Sequence, residues 1–354
     1  MQKYEDIAFL LRKRVLNGDY SLKSLPAERQ LAAEVGASYM TVRRALKELV
    51  DDGVLVRQPN GRLGIGRVSD GGERHLQIAL LAPTFNSPVI EQWQIAIDAV
   101  VGRMGGNVRP VLYMHWDDPA LQGSLNGFDG VFLVPIPEPM PQRVADRLKA
   151  AKRLVVVDDD MSHLGIPSVR LFPPVFVQRL LDHLAAKGHE RIDCLNVHPL
   201  HPVIEQRIEQ WNIWRMAHGC AGRLIHEPSK LHAAPFAVAY QAMKRQLDEG
   251  TFDATALLCV TAPAAMGAMR ALHDHGLQPG RDVAVCTINS EGMGDVLVPS
   301  LTALEAPNPE PYVAACLDWI AGDGNKWIGP LLIQPAEVPL RVRESTGKSE
   351  NQIV

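Results

Sequence analysis

The sequence has 354 residues, 46% of them hydrophobic and 21% charged, which is enough chain for two domains with a sizeable core and excludes both a single short module and wholesale disorder. Lys and Arg number 36 against 40 Asp and Glu, a formal net charge of −4. As an average, that balance argues against a nucleic-acid binder, because such proteins carry a basic footprint that displaces counterions from phosphate. The opening stretch MQKYEDIAFLLRKRVLNG mixes charge into an apolar periodicity and lacks the apolar core and cleavage site of a signal peptide. No run approaches the roughly 20 apolar residues of a membrane helix. The five cysteines, Cys194, Cys220, Cys259, Cys286 and Cys316, form no CxxC, so buried thiols in a reducing cytoplasm are expected rather than a disulfide framework or a zinc ribbon.

From Tyr4 to Leu16, Ile7, Ala8, Leu10, Leu11 and Val15 recur at helical spacing, and Gly18 stops the pattern. A second, short helix is predicted over 27–35, with Pro26 just outside its start, where a missing N–H does no harm. Gly36 ends it and Ser38 offers a hydroxyl N-cap. A third helix follows, with Val42, Ala45, Leu46, Leu49 and Val50 on one face. The last two helices, separated by Gly36-Ala37-Ser38, read as a helix-turn-helix. The opposite face of the third helix carries Tyr39, Thr41, Arg43, Arg44 and Lys47, a mixture of base-edge readers and phosphate binders. Behind it, residues 54–68 alternate around Pro59-Asn60-Gly61, a hairpin signal that predicts a wing.

These residues resemble the DNA-binding domain of GntR-type bacterial transcription regulators: Tyr4, Ile7-Ala8, Leu11-Arg12, the stretch LPAERQLA (25–32), TVRRAL (41–46), Leu49 and Asp52-Gly53 stand at the family's spacings. The resemblance implies that Arg29 and Arg43 contact bases or backbone and that Ser38, Tyr39, Met40 and Thr41 enter the major groove. It also implies that the wing tip at Asn60, Gly61 and Arg62 reaches toward the minor groove. Family members often carry Arg where this chain has Tyr39, and a residue other than Met40 next to it, so the operator sequence cannot be copied from relatives.

Residues 69–75, SDGGERH, read as a linker. Beyond them strand-like and helix-like segments alternate: LQIALLAP, a helix over 89–104, VRPVLYM, FDGVFLVP, a helix over 142–151 and KRLVVVDDD. The rhythm resumes with VFVQRLLDHLAAKGHERIDCLNV, helices over 204–218 and 236–249, ATALLCVT, AAMGAMRALHDHGLQPG and RDVAVCTIN. Such alternation predicts doubly wound parallel sheets in two α/β lobes. The expected organisation is a winged helix-turn-helix over 1–68, a linker over 69–75, a two-lobed α/β domain over 76–346 and a polar tail over 347–354.

The larger domain resembles the effector-binding domain of LacI-type regulators, which shares its fold with periplasmic sugar-binding proteins. The strings FDGVFLVP (128–135), HLAAKGHERI (183–192), AAMGAMRALHDHGLQPGRDVAV (264–285), PSLTAL (299–304) and VPLRVREST (338–346) carry the likeness. It implies that Asp158 is a sugar-binding carboxylate and that Arg207, four residues before Trp211, is a sugar-binding arginine. Asn289 stands where the family has Asp, and Thr261-Ala262-Pro263 stands where it has Asn-Asp, which removes two polar contacts and departs from a standard monosaccharide site. Thr84, Phe85 and Asn86 follow the first strand at its carboxyl end, where open α/β sheets bind ligands.

The expectation is a regulator of transcription, acting as a repressor, whose affinity for double-stranded operator DNA is controlled by a carbohydrate effector bound in a cleft of the larger domain. It is expected to be a cytoplasmic homodimer, with no cofactor, no metal, no membrane partner and no enzymatic activity. The alternatives are a cleft that senses another metabolite or acts constitutively, and a cytoplasmic solute-binding module. His198-Pro199-Leu200-His201 is set aside as a metal site because Pro199 keeps the two rings off one helical face and no carboxylate stands at ligand spacing. No G-x-S-x-G elbow is present, and GRLGIG (61–66) lacks the Lys-Ser/Thr of a phosphate loop. The charge divides unevenly: residues 1–68 hold 12 Lys and Arg against 8 Asp and Glu, and the remainder 24 against 32. The average conceals a basic front domain of +4 and an acidic body of −8, with no expectation that the body touches DNA.

Overall fold

In the computed structural model, residues 4–16, 19–20, 25–58, 61–66, 76–85, 87–230, 233–322 and 326–347 are described. The expected linker, Asn60, Asn86 and all but the first residue of the tail lie outside them.

The front domain contains helices α1 (Tyr4–Leu16), α2 (Glu28–Glu34) and α3 (Tyr39–Asp51), followed by an antiparallel hairpin of β1 (Leu55–Arg57) and β2 (Leu63–Ile65). Ile7, Leu11, Leu31, Val42, Leu46 and Leu49, the predicted apolar faces, form one buried cluster. A cluster this small leaves little surplus stability, so each of these side chains counts. Gly36, at φ +66°, turns α2 into α3 through a left-handed conformation that a side chain would oppose. Ser38 accepts from the Thr41 amide at 3.2 Å and caps α3 as expected. The start of the wing is fixed by close backbone approach: a Cβ on Gly66 would lie 1.8 Å from the Gly53 carbonyl oxygen.

The α/β part contains two six-stranded sheets. The first consists of β3 (Gln77–Pro83), β4 (Asn107–Tyr113), β5 (Gly130–Leu133), β6 (Leu154–Val157) and β7 (Ser168–Val169), with α4 (Pro88–Arg103), α5 (Pro119–Ser124) and α6 (Gln142–Ala150) between them. The second consists of β8 (Ile192–Asn196), β9 (Leu224–His226), β10 (Ala256–Cys259), β11 (Ala284–Asn289) and β12 (Thr302–Leu304), with α7 (Val177–Ala186), α8 (Pro202–Ala217), α9 (Pro235–Asp248) and α10 (Ala262–Asp274). The chain then returns to the first sheet through α11 (Glu310–Ala321) and β13 (Leu332–Ile333), and to the second with β14 (Leu340–Arg341). The strand orders are β13-β7-β6-β5-β3-β4, all parallel, and β14-β12-β11-β10-β8-β9, parallel except for β14.

By contacts the chain divides into one unit of residues 1–136, 140–169 and 309–333 and a second of 137–139, 170–308 and 334–354. The front domain thus groups with the first lobe, to which Gln77 Nε2 donates a hydrogen bond at the Val15 carbonyl (2.8 Å) and Arg109 Nη1 one at Asp19 Oδ1 (3.0 Å). In the second lobe the stretch Glu344–Thr346 is tied to the sheet by buried hydroxyls: Ser345 Oγ accepts from the Thr302 amide and donates to the Val285 carbonyl.

Several helices begin one or two residues before their apolar periodicity does. The predicted starts at 89, 204 and 236 become Pro88, Pro202 and Pro235, because proline is preorganised for the first helical turn and loses no hydrogen bond there. Cys194, Cys259, Cys286 and Cys316 are buried as expected, but Cys220 is half-exposed after α8. Among the described residues no helix is long and apolar enough to cross a membrane.

Candidate nucleic-acid interface and effector edge

Burial of Val42, Ala45, Leu46 and Leu49 turns the other face of α3 to solvent. Ser38, Tyr39, Met40, Arg43, Arg44 and Lys47 are all exposed there, Met40 at 67%, and Thr41 is half-buried with its hydroxyl 2.7 Å from Ser38 Oγ. Arg29 is exposed on α2. A groove of about 870 Å³ runs between α3, the start of α1 and the wing, lined among others by Tyr4, Met40, Arg43, Lys47 and Arg57. At the wing, Arg57 Nη1 donates to the Gly61 carbonyl at 3.1 Å, Gly61 has φ +77°, and Arg62 is exposed.

One contact was missed by sequence reasoning: the Arg44 guanidinium lies 3.8 Å from the centroid of the Tyr4 ring. Both residues were legible, Tyr4 in the family's spacing and Arg44 on the outer face of the third helix, but the stack joins positions forty residues apart. A cation–π contact of this kind orients an exposed arginine without neutralising it.

The effector candidates divide between the two units. Thr84, Phe85 and Asp158 belong to the first, where Thr84 and Phe85 follow β3 and Asp158 follows β6. Asp158 has φ +68°, a left-handed conformation uncommon for a residue with a side chain. The next two aspartates build a turn: Asp159 Oδ1 accepts from the Asp160 amide, and Asp160 Oδ1 accepts from the amide and hydroxyl of Ser162.

Arg207, Thr261 and Asn289 belong to the second unit. Strands β8, β10 and β11 are parallel neighbours, so their carboxyl ends share one edge. Arg207, half-buried on α8, donates from Nη1 to the Val260 carbonyl at 3.1 Å, immediately before Thr261 at the start of α10. Asn289 Oδ1 accepts from the Glu291 amide at 2.8 Å, so its amide partly builds its own loop. Arg170 donates to the side-chain carbonyls of Gln206 (2.9 Å) and Gln334 (3.3 Å).

The same edge carries His198 and His201, the pair set aside as metal ligands. Asn196 folds the turn that presents them, donating to the His198 carbonyl at 2.8 Å and accepting from its amide at 3.1 Å, and His201 precedes the first turn of α8. Burial first, and the positive charge of Arg207 second, push both imidazoles down to about 4. Both are therefore neutral at neutral pH. His198 Nε2 and Thr261 Oγ1 are buried and have no hydrogen-bond partner among the described residues.

Comparisons with known proteins agree with this architecture. Residues 3–65 match the family described as bacterial regulatory proteins, gntR family, and residues 181–317 match the periplasmic binding protein-like domain. Over 59 residues the chain is 44% identical to the HTH-type transcriptional regulator GmuR of Bacillus subtilis (strain 168), covering 16% of this chain and 25% of that one. The chain thus matches about a quarter of the length of that curated relative. Among solved structures, a lac repressor dimer bound to operator and the anti-inducer ONPF superposes with a TM-score of 0.63 at 21% identity, covering 78% of this chain and 96% of that one. A LacI family transcriptional regulator from Arthrobacter sp. FB24 in complex with lactose gives 0.63 at 18% identity, with 77% and 99% covered. CCPA from Weissella paramesenteroides with bound glucose gives 0.62 at 16% identity, with 77% and 98% covered. At these identities the likeness is one of fold.

Proposed function

We propose that this chain, which joins a GntR-type helix-turn-helix domain to a periplasmic-binding-protein-like domain, is a cytoplasmic, non-enzymatic bacterial transcription regulator, and specifically a repressor. Its α/β domain binds a small effector, a sugar or sugar derivative, and binding changes affinity for operator DNA. The observation that carries this reading is the exposed face of α3, where Tyr39, Met40, Arg43, Arg44 and Lys47 stand clear of the core that holds the helix in place. Side chains reaching from such a helix read base edges in the major groove, while Arg29 and Lys47 hold phosphate.

The protein acts as a homodimer, because two recognition helices about 34–36 Å apart match half-sites one helical turn apart. Ile95 on α4, Leu112 on β4 and Met114 just after it are each at least 60% exposed, an apolar surface on the first lobe suited to a second copy. The lactose- and glucose-bound neighbours support a carbohydrate effector, and the operator-bound dimer supports the DNA arm. The effector contacts of this reading are Thr84, Phe85 and Asp158 on the first unit and Arg207, Thr261 and Asn289 on the second. Regulation needs a coupling of only about 1–3 kcal/mol, acting equally on DNA and effector affinity.

The test is selection of genomic fragments by the purified full chain, followed by release with a sugar panel. Enrichment of a two-fold symmetric sequence, and its release by one compound, is expected. Fragments with no common sequence would sink the reading.

A further inference from the structure

Three parallel strands of the second lobe end side by side in Asn196, in Cys259-Val260-Thr261 and in Asn289, none of them acidic. Two long helices start on this edge: α8, of 16 residues, behind His201, and α10, of 13 residues, behind Thr261. Each start carries unsatisfied amides and partial positive charge, offset in part at α8 by exposed Glu205 in its first turn and unopposed at α10. The Arg207 guanidinium joins them, riding on α8 and donating to the carbonyl that leads into α10. Thr261 does not cap its own helix, and its buried hydroxyl has no partner among the described residues. His198 brings a buried Nε2 in the same condition.

A buried donor left without an acceptor costs about 1–3 kcal/mol, so a ligand that supplies the acceptor recovers it. A neutral hydroxyl could do so at one of these atoms. The combination of a guanidinium, two helix starts and uncharged donors favours negative charge. The two imidazoles, held neutral by burial and by Arg207, bring no positive charge of their own, and His198 Nε2 donates when it carries the ring proton.

We propose that this edge receives the anionic group, carboxylate or phosphate, of an acidic small-molecule effector, with Arg207, His198 and Thr261 as its donors. The proposal rests on the reading of this domain as an effector-binding domain and names the chemical class of the effector. The HPLH stretch then has a role as an anion contact.

Matched pairs of probes test it on the full chain: galactose against galacturonate, glucose against gluconate and against glucose 6-phosphate, and inorganic phosphate alone, by calorimetric titration and thermal shift. At least one acid is expected to bind tenfold or more tightly than its neutral partner, the size of effect that a charge-assisted contact gives. The uronate, aldonate and phosphate arms identify the anion. Arg207→Gln should reduce the acid-to-neutral preference to near one, and Thr261→Val should lower acid binding several-fold. The wild-type comparison stands even if a variant fails to fold. Neutral sugars binding as well as their acids would overturn the anion proposal and leave the effector reading intact. Binding by no compound, neutral or acidic, would overturn both.

Discussion

Arg43 stands in solvent on α3, whereas Arg207 is half-buried at the carboxyl edge of the second lobe and already donates to a backbone carbonyl. The two settings ask different things of one residue type. In the front domain positive charge is spread over exposed side chains held by a small core, which suits a polyanion whose counterions are released on contact. Each such charge is weakly coupled to the fold. At the carboxyl edge of the second lobe the Arg207 guanidinium sits half-buried, so it shifts the neighbouring imidazoles, and buried polar atoms there have no partner among the described residues. The first surface is read by salt and the second by ligand chemistry and pH.

The largest expected effect comes from emptying the exposed surface. Arg43→Ala together with Arg44→Ala should weaken operator binding by about 100-fold or more and reduce the slope of log K against log salt by about 2, measured by fluorescence anisotropy across a salt series. An unchanged slope would mean that the exposed arginines do not meet phosphate, and the contrast with Arg207 would dissolve.

The second effect is a pH dependence to which the buried edge contributes alongside His183 and His189, which burial also pushes down. His198 and His201 are held at about 4, below the ordinary histidine value, so below about pH 6.5 the unfolded chain binds more protons than the folded one. The stability they contribute is complete above about pH 6.5 and is lost as pH falls toward 4, on the order of 2–3 kcal/mol per imidazole. Melting temperature followed from pH 7 to 4 should fall, and His201→Gln should flatten part of that fall. Equal acid sensitivity in the variant would place the titration elsewhere.

The smallest effect concerns the cap of α3. Ser38→Ala removes the acceptor of the Thr41 amide and should destabilise the protein by about 1 kcal/mol, measured by urea unfolding. Operator affinity should fall more than this if Ser38 also meets DNA, which separates its two roles.

The sequence by itself determined the front domain almost completely, because its signals are local. Helix spacing, the Gly36 turn, the Ser38 cap and the cationic outer face all lie within a few residues of one another, and a face that buries Leu46 must expose Arg43. It also determined the alternation of strands and helices that makes parallel sheets, since buried strands and amphipathic helices have different periods. Only the tertiary structure decided the strand order, the return of β13 and β14 to separate sheets and the stacking of Arg44 on Tyr4. It alone brought Arg207 to the Val260 carbonyl beside Thr261, more than fifty residues further along the chain, with His198 close enough to feel its charge. That meeting depends on β8 and β10 pairing in parallel, a long-range choice that no local spacing encodes. Hence the histidine pair, unpromising as a metal motif, gained a chemical setting only once the fold had assembled the edge around it.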